Sequence, residues 1–290
     1  MNRAIRSRLD PNRQVTSPVV RWLSGDSTTS VDELVVEEPL EVRAQAARSG
    51  EEASLAVIMR TPGHDEELAA GFLYTEGLLS HRSELAGLRT GNDVDGLPSE
   101  NIMVATATGG DLVRRARETG YSRLFAVNSS CGICGKNTVA AACAVLPPLS
   151  SSDFIVPVRL LYALPDRLRE RQEVFASTGG LHAAALFDEQ GALLGLREDI
   201  GRHNAVDKLV GRALLDGDLP LRRRILLVSG RLSFEIVLKA LAAGISIIAA
   251  VSAPSSLAVD LANASGITIA AFLRGDRVNI YTHPERVSSE

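Results

Sequence analysis

The fold is decided by the stretch Ile225–Phe272, which reads ILLVSGRLSFEIVLKALAAGISIIAAVSAPSSLAVDLANASGITIAAF. It contains three short aliphatic runs, at residues 225–228, 245–251 and 267–272. Such runs, with almost no polar positions, predict strands that are buried on both faces. Ser233 and Ser255 can cap the helices between the runs, and Gly244 can end the first helix. Alternating strands and helices predict an α/β domain with helices on both faces of a partly parallel sheet.

The same pattern continues on both sides of this stretch. We expect a helix over residues 165–177, a hairpin over 183–187 and 192–196, an amphipathic helix over 204–215 and a strand over 278–281. Earlier elements are shorter, with a small hairpin or meander over 34–36 and 40–42, a helix over 65–77 and a strand over 101–106. The sequence thus predicts a mobile tail at residues 1–30, a small α+β subdomain at 31–120 and a larger α/β domain at 121–286.

Composition excludes several classes of protein. The chain has 290 residues, 45% of them hydrophobic and 23% charged, which is typical of a globular protein. The formal net charge of −4 argues against a protein held to nucleic acid by bulk charge. The longest apolar run, Ile245–Val251, is far shorter than the roughly 20 residues of a membrane-spanning helix. The polar, arginine-rich start carries no apolar signal segment, so we expect a cytoplasmic protein without membrane attachment.

The three cysteines, Cys131, Cys134 and Cys143, lie close together in the chain. An odd, clustered set does not suit a secreted disulfide framework, so we expect reduced cysteines with a chemical task. Cys131 and Cys134 belong to Ser129–Asn137, SSCGICGKN, a glycine-rich loop in which Lys136 favours the thiolate form. Cys143, in an alanine-rich stretch, is predicted to be a buried small hydrophobe.

Four kinds of site are compatible with this loop. A structural zinc site needs four ligands, and Cys143 has poor spacing for it. A thioredoxin-like redox pair normally has fewer glycines. A deaminase zinc site uses H-x-E followed by P-C-x-x-C, and His64–Asp65–Glu66 supplies the first part, whereas Ser130 replaces the proline. The fourth kind is a cysteine that carries sulfur as a persulfide, and chemistry alone does not separate it from the redox pair.

Several polar turns are expected at the carboxyl ends of the predicted strands, the usual ligand edge of an open α/β sheet. The densest is Glu198–Lys208, EDIGRHNAVDK, where Asn204 could be a helix cap and Asp207 and Lys208 solvated helix charges. Neither a helix cap nor solvated helix charges explain an Arg202–His203 pair after a glycine, so this pair favours a functional site. Further turns of this kind are 178–182, 229–231, 252–255 and 274–277. Arginines and helix N-termini suit phosphate groups, so these turns predict one anion-accepting cleft.

Five motifs in the chain together resemble the FdhD family of formate dehydrogenase accessory sulfurtransferases. They are Cys131-Gly-Ile-Cys134-Gly, Ser177-Thr-Gly-Gly-Leu-His182, Glu198-Asp-Ile-Gly-Arg-His-Asn-Ala-Val-Asp-Lys208, Ser229-Gly-Arg-Leu-Ser-Phe-Glu235, and Phe272-Leu-Arg-Gly-Asp-Arg277 with Asn279-Ile-Tyr281. The resemblance covers nearly all of the chain expected to be structured, from about Val31 to Arg286. Several motifs in the right order are more specific than any one of them.

The resemblance implies a cytidine-deaminase-like α/β/α sandwich, a homodimer and a cytoplasmic sulfur carrier. Such a carrier receives sulfur from a cysteine desulfurase as a persulfide on the residue matched by Cys131. It passes the sulfur to the molybdenum (or tungsten) of the cofactor Mo-bis(molybdopterin guanine dinucleotide), which then enters formate dehydrogenase. Cys134 matches the second cysteine of the motif, and no catalytic metal of the carrier's own is implied.

The resemblance also assigns the bound cofactor to one C-terminal segment. Its residues here are Phe272, Leu273, Arg274, Gly275, Asp276 and Arg277. We add Arg202 and His203 to this site as a hypothesis of our own, because a strand end places them where they could handle protons or charge near the sulfur. A zinc-dependent nucleotide deaminase is the alternative function, and a CxxC redox or structural module without sulfur transfer is the third.

Overall fold

A six-stranded mixed sheet forms the centre of the larger domain. The computed structural model describes residues 13–47, 49–108, 112–118, 146–149 and 153–290. The strands of this sheet are β8 (His182–Phe187), β9 (Leu193–Asp199), β10 (Ile225–Val228), β11 (Ile247–Ala250), β12 (Thr268–Arg274) and β13 (Arg277–Ile280). They lie in the order β13-β12-β11-β10-β8-β9. The three middle strands β10, β11 and β12 are parallel, and the outer pairings are antiparallel.

Helices cover both faces of this sheet, as its aliphatic strands require. One face carries α5 (Arg202–Asp216), α6 (Phe234–Ala242) and α7 (Ser256–Ser265), and the other carries α3 (Val158–Arg169). The two faces alternate along each strand. In β10, Leu226 and Val228 pack towards α5–α7, whereas Ile225 and Leu227 pack towards α3. The predicted α/β sandwich is therefore confirmed.

A second, four-stranded sheet lies within residues 38–107. Its strands are β3 (Glu38–Gln45), β4 (Glu52–Arg60), β5 (Leu85–Asn92) and β6 (Pro98–Ala107), in the order β4-β3-β6-β5. Its apolar face packs on α1 (Asp65–Thr75) and α2 (Leu112–Glu118). Helix α1 also crosses α5, which joins this unit to the six-stranded sheet. A short parallel pair, β7 (Val156–Pro157) with β14 (Val287–Ser288), completes the pairing.

The expectation of a mobile tail over residues 1–30 has to be corrected for the part that the structure describes. Gln14–Leu23 (β1) and Asp26–Val35 (β2) pair antiparallel over ten residues each. We refer to this hairpin as the ribbon. The hairpin or meander expected from 34–36 and 40–42 also has to be corrected, because these two strands do not pair: β2 pairs with β1, and β3 pairs with β4 and β6. Most side chains of the ribbon are exposed, so it lacks the alternating apolar pattern from which strands are predicted.

The single helix expected over 165–177 is two helices, α3 and α4 (Glu173–Thr178). The break between the two helices is explained by a carboxylate from β9, a strand that follows both helices in the chain. Glu198 of β9 accepts hydrogen bonds from the backbone N–H groups of Val174 (3.2 Å) and Phe175 (2.9 Å). It therefore caps the N-terminus of α4 from a distant part of the sequence. In the ranges that the structure describes, no helix has the length and apolar character needed to cross a membrane.

Candidate functional site

The two cysteines predicted to carry the chemistry, Cys131 and Cys134, lie outside the described residues, as does Cys143. Their roles therefore stay predictions. The structure does describe the carboxyl edge of the six-stranded sheet, where the polar turns were expected to meet.

A cleft of about 530 Å³ opens at this edge. It is lined by the start of β8, by the turns after β10 and β11, by the end of β12, and by α3 and α4. The lining includes His182, Ser229, Leu273, Arg274 and Gly275. Three of the six residues in the predicted cofactor segment thus meet the predicted turns at 178–182 and 229–231 in one cavity.

An irregularity in β12 divides the predicted segment 272–277. Phe272 has a left-handed backbone (φ 56°), and the pairing with β13 shifts register between Ala271 and Arg274. Phe272 packs on the side of α5–α7, while Leu273 is buried on the side of α3. Arg274 is exposed at the cleft, and Asp276 lies in the exposed turn that follows. The exposed Arg277 is the first residue of β13 and pairs with Arg274. A bulge of this kind re-aims side chains at a strand end.

His182 is half-buried beside a group of cations. Burial lowers the pKa of His182, and the charges of Arg202, His203 and Arg231 lower it further. Gly230 allows this close packing, since a Cβ there would lie only 3.1 Å from Nδ1 of His182. The ring makes no hydrogen bond to any residue that the structure describes. Burial and the neighbouring positive charges therefore both favour the neutral form of the imidazole.

Arg202 supplies a positive charge next to His182. Its Nε is buried and has no hydrogen-bond partner among the described residues. A buried guanidinium N–H without a partner favours binding of an anion, because that donor is then satisfied. The position at the start of α5 adds partial positive charge from the helix N-terminus.

Unlike Arg202, His203 has side-chain partners among the described residues. Its Nε2 lies 2.9 Å from a carboxylate oxygen of Glu235 and 3.0 Å from the hydroxyl of Ser233. The Ser233 hydroxyl also donates to Glu235 (3.0 Å), so it does not cap α6 as expected. The hydrogen bond from His203 lowers the pKa of Glu235 against the effect of burial. Both partners share one ring nitrogen, so this is not a Ser–His–acid triad, in which the acid takes the other nitrogen.

The rest of the dense motif 198–208 is structural. Lys208 and Asp199 form a fully buried ion pair at 2.7 Å, and Lys208 also donates to the carbonyl of Thr61 (2.9 Å). Asp207 pairs with Lys239 at 2.8 Å. Burial lowers the pKa of Lys208, partly offset by Asp199. The expectation that Asp207 and Lys208 are solvated helix charges is wrong, because both anchor α5 inside the molecule.

Sequence reasoning missed the wall of the cleft formed by α3 and α4. The Arg169 guanidinium lies over the Phe175 ring, 5.7 Å from its centroid, and both residues line the cleft. Gly179 (φ 66°) ends α4 as expected, and Gly180 follows it in the lining. A cation stacked on an aromatic ring offers a flat surface to a planar ligand. The lone Phe and Arg carry no recognisable spacing in the sequence.

Comparisons with known proteins place the chain in a family. The family model described as FdhD/NarQ matches residues 35–288. The chain belongs to the FdhD/NarQ family. Relatives include the sulfur carrier protein FdhD of Streptomyces coelicolor, 50% identical over 93% of this chain and 94% of that protein. The Mycobacterium tuberculosis protein of the same name is 48% identical over 93% of this chain and 97% of its own length.

Archaeal members of the FdhD/NarQ family are also similar. The sulfur carrier protein FdhD of Saccharolobus solfataricus is 42% identical over 93% of this chain and 96% of its own. Among solved structures, a candidate formate dehydrogenase accessory protein from Desulfotalea psychrophila superposes with a TM-score of 0.73 at 23% identity. It covers 95% of this chain and all of its own length, which establishes a shared fold.

Of the residues behind the deaminase alternative, the structure of this FdhD/NarQ chain describes His64 and Glu66. His64 and Glu66 are exposed at the start of α1, and Nδ1 of His64 lies 3.6 Å from Glu67. No group of three or more potential metal ligands occurs in the ranges that the structure describes. His64 therefore belongs to a solvated helix N-terminus, and family membership favours the sulfur-carrier function.

Proposed function

We propose that this protein is a cytoplasmic sulfurtransferase, a sulfur carrier that matures the cofactor of a formate dehydrogenase. The observation that carries the proposal is the family match over residues 35–288, with relatives named sulfur carrier protein FdhD at 50% identity. The motif Cys131-Gly-Ile-Cys134-Gly supplies the thiols that a sulfur carrier needs. A cysteine desulfurase and formate dehydrogenase are the proposed partners.

The first step is a persulfide transfer. The Cys131 thiolate attacks the terminal sulfur of the desulfurase persulfide, forming a persulfide on Cys131 and releasing the desulfurase thiolate. Passing that sulfur on as sulfide requires two electrons. Cys134 can supply them by attacking the inner sulfur, which leaves a Cys131–Cys134 disulfide and frees the sulfide for the metal.

The cleft is the proposed binding site of the substrate, Mo-bis(molybdopterin guanine dinucleotide). Arg274 is positioned to bind its pyrophosphate groups, and the unpartnered Arg202 adds positive charge beside His182. Arg169 and Phe175 offer a flat wall suited to a planar ring system. Glu235 and Ser233 contact Nε2 of His203, which leaves Nδ1 as the ring nitrogen that can exchange a proton with the substrate.

The test is intact-protein mass spectrometry after incubation with a cysteine desulfurase and cysteine. We expect the protein to gain the mass of one sulfur atom. The gain is lost in Cys131→Ala and kept in Cys143→Ala, the matched cysteine control. Cys134→Ala also keeps the gain, because Cys134 acts only in release. A protein that gains no sulfur would refute the proposal.

A further inference from the structure

Glu198, the penultimate residue of β9, is buried and bonded to α4. Its two carboxylate oxygens each accept one hydrogen bond from the first turn of that helix, from the backbone N–H groups of Val174 (3.2 Å) and Phe175 (2.9 Å). Successive residues of a strand point to opposite faces of a sheet, and the next residue, Asp199, pairs with Lys208 of α5. The end of β9 is thus bonded to a helix on each face of the sheet.

Helix α4 depends on this carboxylate because it is short and supplies no cap of its own. It has six residues, fewer than the roughly 12 that an isolated helix needs in water. The side chain of its N-cap residue, Gln172, makes no capping hydrogen bond in the described structure. At the other end, the hydroxyls of Ser177 and Thr178 donate to the carbonyl of Val174 (3.0 and 2.8 Å). Val174, whose own N–H donates to Glu198, therefore links both ends of the helix to β9.

Helix α4 carries the aromatic part of the cleft wall. Phe175 lines the cleft, and the guanidinium of Arg169 in α3 lies over its ring, 5.7 Å from the centroid. The N–H of Phe175 is one of the two groups bonded to Glu198, so this bond fixes the backbone from which the ring projects. A strand residue outside the cleft lining therefore sets the position of an aromatic ring inside it.

The bonds to α4 offset the cost of burying Glu198. Burial raises the pKa of Glu198, and the hydrogen bonds from Phe175 and Val174 offset part of this rise. The charge of Arg13 also lowers the pKa, and Nη2 of Arg13 donates to the carbonyl of Glu198 (3.2 Å), whereas the charge of Glu173 raises it. A buried carboxylate is costly without such partners. Glu198 and α4 therefore stabilise each other.

We propose that Glu198 is a positioning residue for ligand binding in the cleft, acting through α4 and the ring of Phe175. It lies outside the cleft lining, so it acts on the ligand only through the helix that it caps. Without its carboxylate the first turn of α4 is released, and the wall formed by Phe175 and Arg169 loses its fixed position. The inference rests on the proposed function in one respect, that the cleft receives the substrate.

The first test is hydrogen exchange of backbone amides in the full chain. The first N–H groups of a helix have no partner within the helix, so protection of the Val174 and Phe175 amides reports their bonds to Glu198. We expect both amides to be protected in the wild type. In Glu198→Gln they should exchange at least about tenfold faster, because the amide side chain offers one acceptor oxygen instead of two.

Glu173→Gln is the matched control for this exchange. It removes an equal charge from the exposed start of the same helix, where the side chain does not bond to the first-turn N–H groups. We expect the Val174 and Phe175 amides to exchange at the wild-type rate in this variant.

The second test is calorimetric titration with guanosine diphosphate, which carries a base and a pyrophosphate. We expect Glu198→Gln to bind it about 5- to 10-fold more weakly than the wild type, because a misplaced ring loses part of its stacking on the base. Glu173→Gln should bind it like the wild type. In a Phe175→Ala background, Glu198→Gln should cause no further loss, since its effect passes through the ring. A merely structural role would weaken binding by the same factor in both backgrounds.

Four results would overturn the inference: unprotected Val174 and Phe175 amides in the wild type, no binding of guanosine diphosphate by the wild type, unchanged affinity in Glu198→Gln, or an equal further loss in the Phe175→Ala background. If Glu198→Gln does not fold, unchanged affinity in Phe175→Ala alone refutes it. The gain of sulfur on Cys131 is measured separately. A protein that gains sulfur and fails these tests therefore refutes this inference and leaves the sulfur-carrier function intact.

Discussion

At the scale of single residues, an ion pair ties the four-stranded unit to the six-stranded sheet. Arg197 of β9 donates two hydrogen bonds to Glu67 of α1, one of them at 2.6 Å from Nη2 to Oε1. Burial raises the pKa of Glu67, but the hydrogen bonds from Arg197 and His64 outweigh it and lower the pKa to about 2. The unfolded carboxyl titrates near 4.5. The folded pKa is depressed, so the stabilisation is complete above pH 4.5 and is lost as the pH falls towards 2.

We predict that Glu67→Gln lowers the free energy of unfolding at pH 7 by up to about 3 kcal/mol, since one pKa unit corresponds to about 1.4 kcal/mol. The difference from wild type should shrink as the pH falls from 5 towards 2. Urea unfolding at several pH values measures both effects. Glu66→Gln, an exposed neighbour on the same helix, should change stability little. A deficit for Glu67→Gln that does not change with pH would contradict the assignment.

At the scale of elements, two glycines set how closely α1 and α5 approach. A Cβ on Gly71 would overlap the carbonyl oxygen of Asp207, and a Cβ on Gly211 would overlap that of Glu67. The two backbones are therefore in direct contact. This approach also brings Asp207 within 2.9 Å of the Thr75 hydroxyl, so the crossing positions a buried polar contact as well as apolar surface.

We predict that Gly71→Ala lowers the free energy of unfolding by about 1–3 kcal/mol or more, because overpacking usually has an effect of this size. Intrinsic helix propensity alone would stabilise an alanine in a helix by about 1 kcal/mol, so the packing reverses the sign. Thermal unfolding measures the change. Gly87→Ala is the matched control, because no atom lies within 4 Å of its added Cβ. A Gly71→Ala protein as stable as wild type would contradict this prediction, because α1 and α5 could then move apart without loss of stability.

At the scale of the whole molecule, the cleft exists only where several layers meet. The sheet edge supplies His182, Ser229 and Arg274, and the helices on one face supply Arg169 and Phe175. Guanosine diphosphate is a suitable probe, because it carries the base and pyrophosphate of the proposed substrate. The exposed position of Arg277 beyond the cleft implies a smaller contribution than that of Arg274.

We predict that Arg274→Ala weakens binding of guanosine diphosphate about 10- to 100-fold, the loss of one or two charged hydrogen bonds. Arg277→Ala should have a smaller effect. Calorimetric titration measures both, with Arg222→Ala as a control that removes an equal charge outside the cleft. Unchanged affinity in Arg274→Ala would remove this residue from the binding site.

Much of the α/β domain could be predicted because burial on both faces leaves aliphatic runs. The expected strand at 225–228 has the same bounds in the structure, and the hairpin at 183–187 and 192–196 is β8 with β9. The ribbon escaped prediction because solvent covers most of it. The break between α3 and α4 escaped because its cap, Glu198, comes from a strand that follows both helices in the chain.

The sequence by itself determined the layered α/β core, the family and the candidate cysteines, because local periodicity and ordered motifs are properties of the chain alone. Only the tertiary structure separated the residues of 198–208 into those beside the cleft, Arg202 and His203, and those buried as anchors, Asp199, Asp207 and Lys208. The physical reason is that a charge is solvated, paired or left for a ligand according to what distant segments bring to it. The residues next to a charged residue in the sequence do not show which distant segments will contact it.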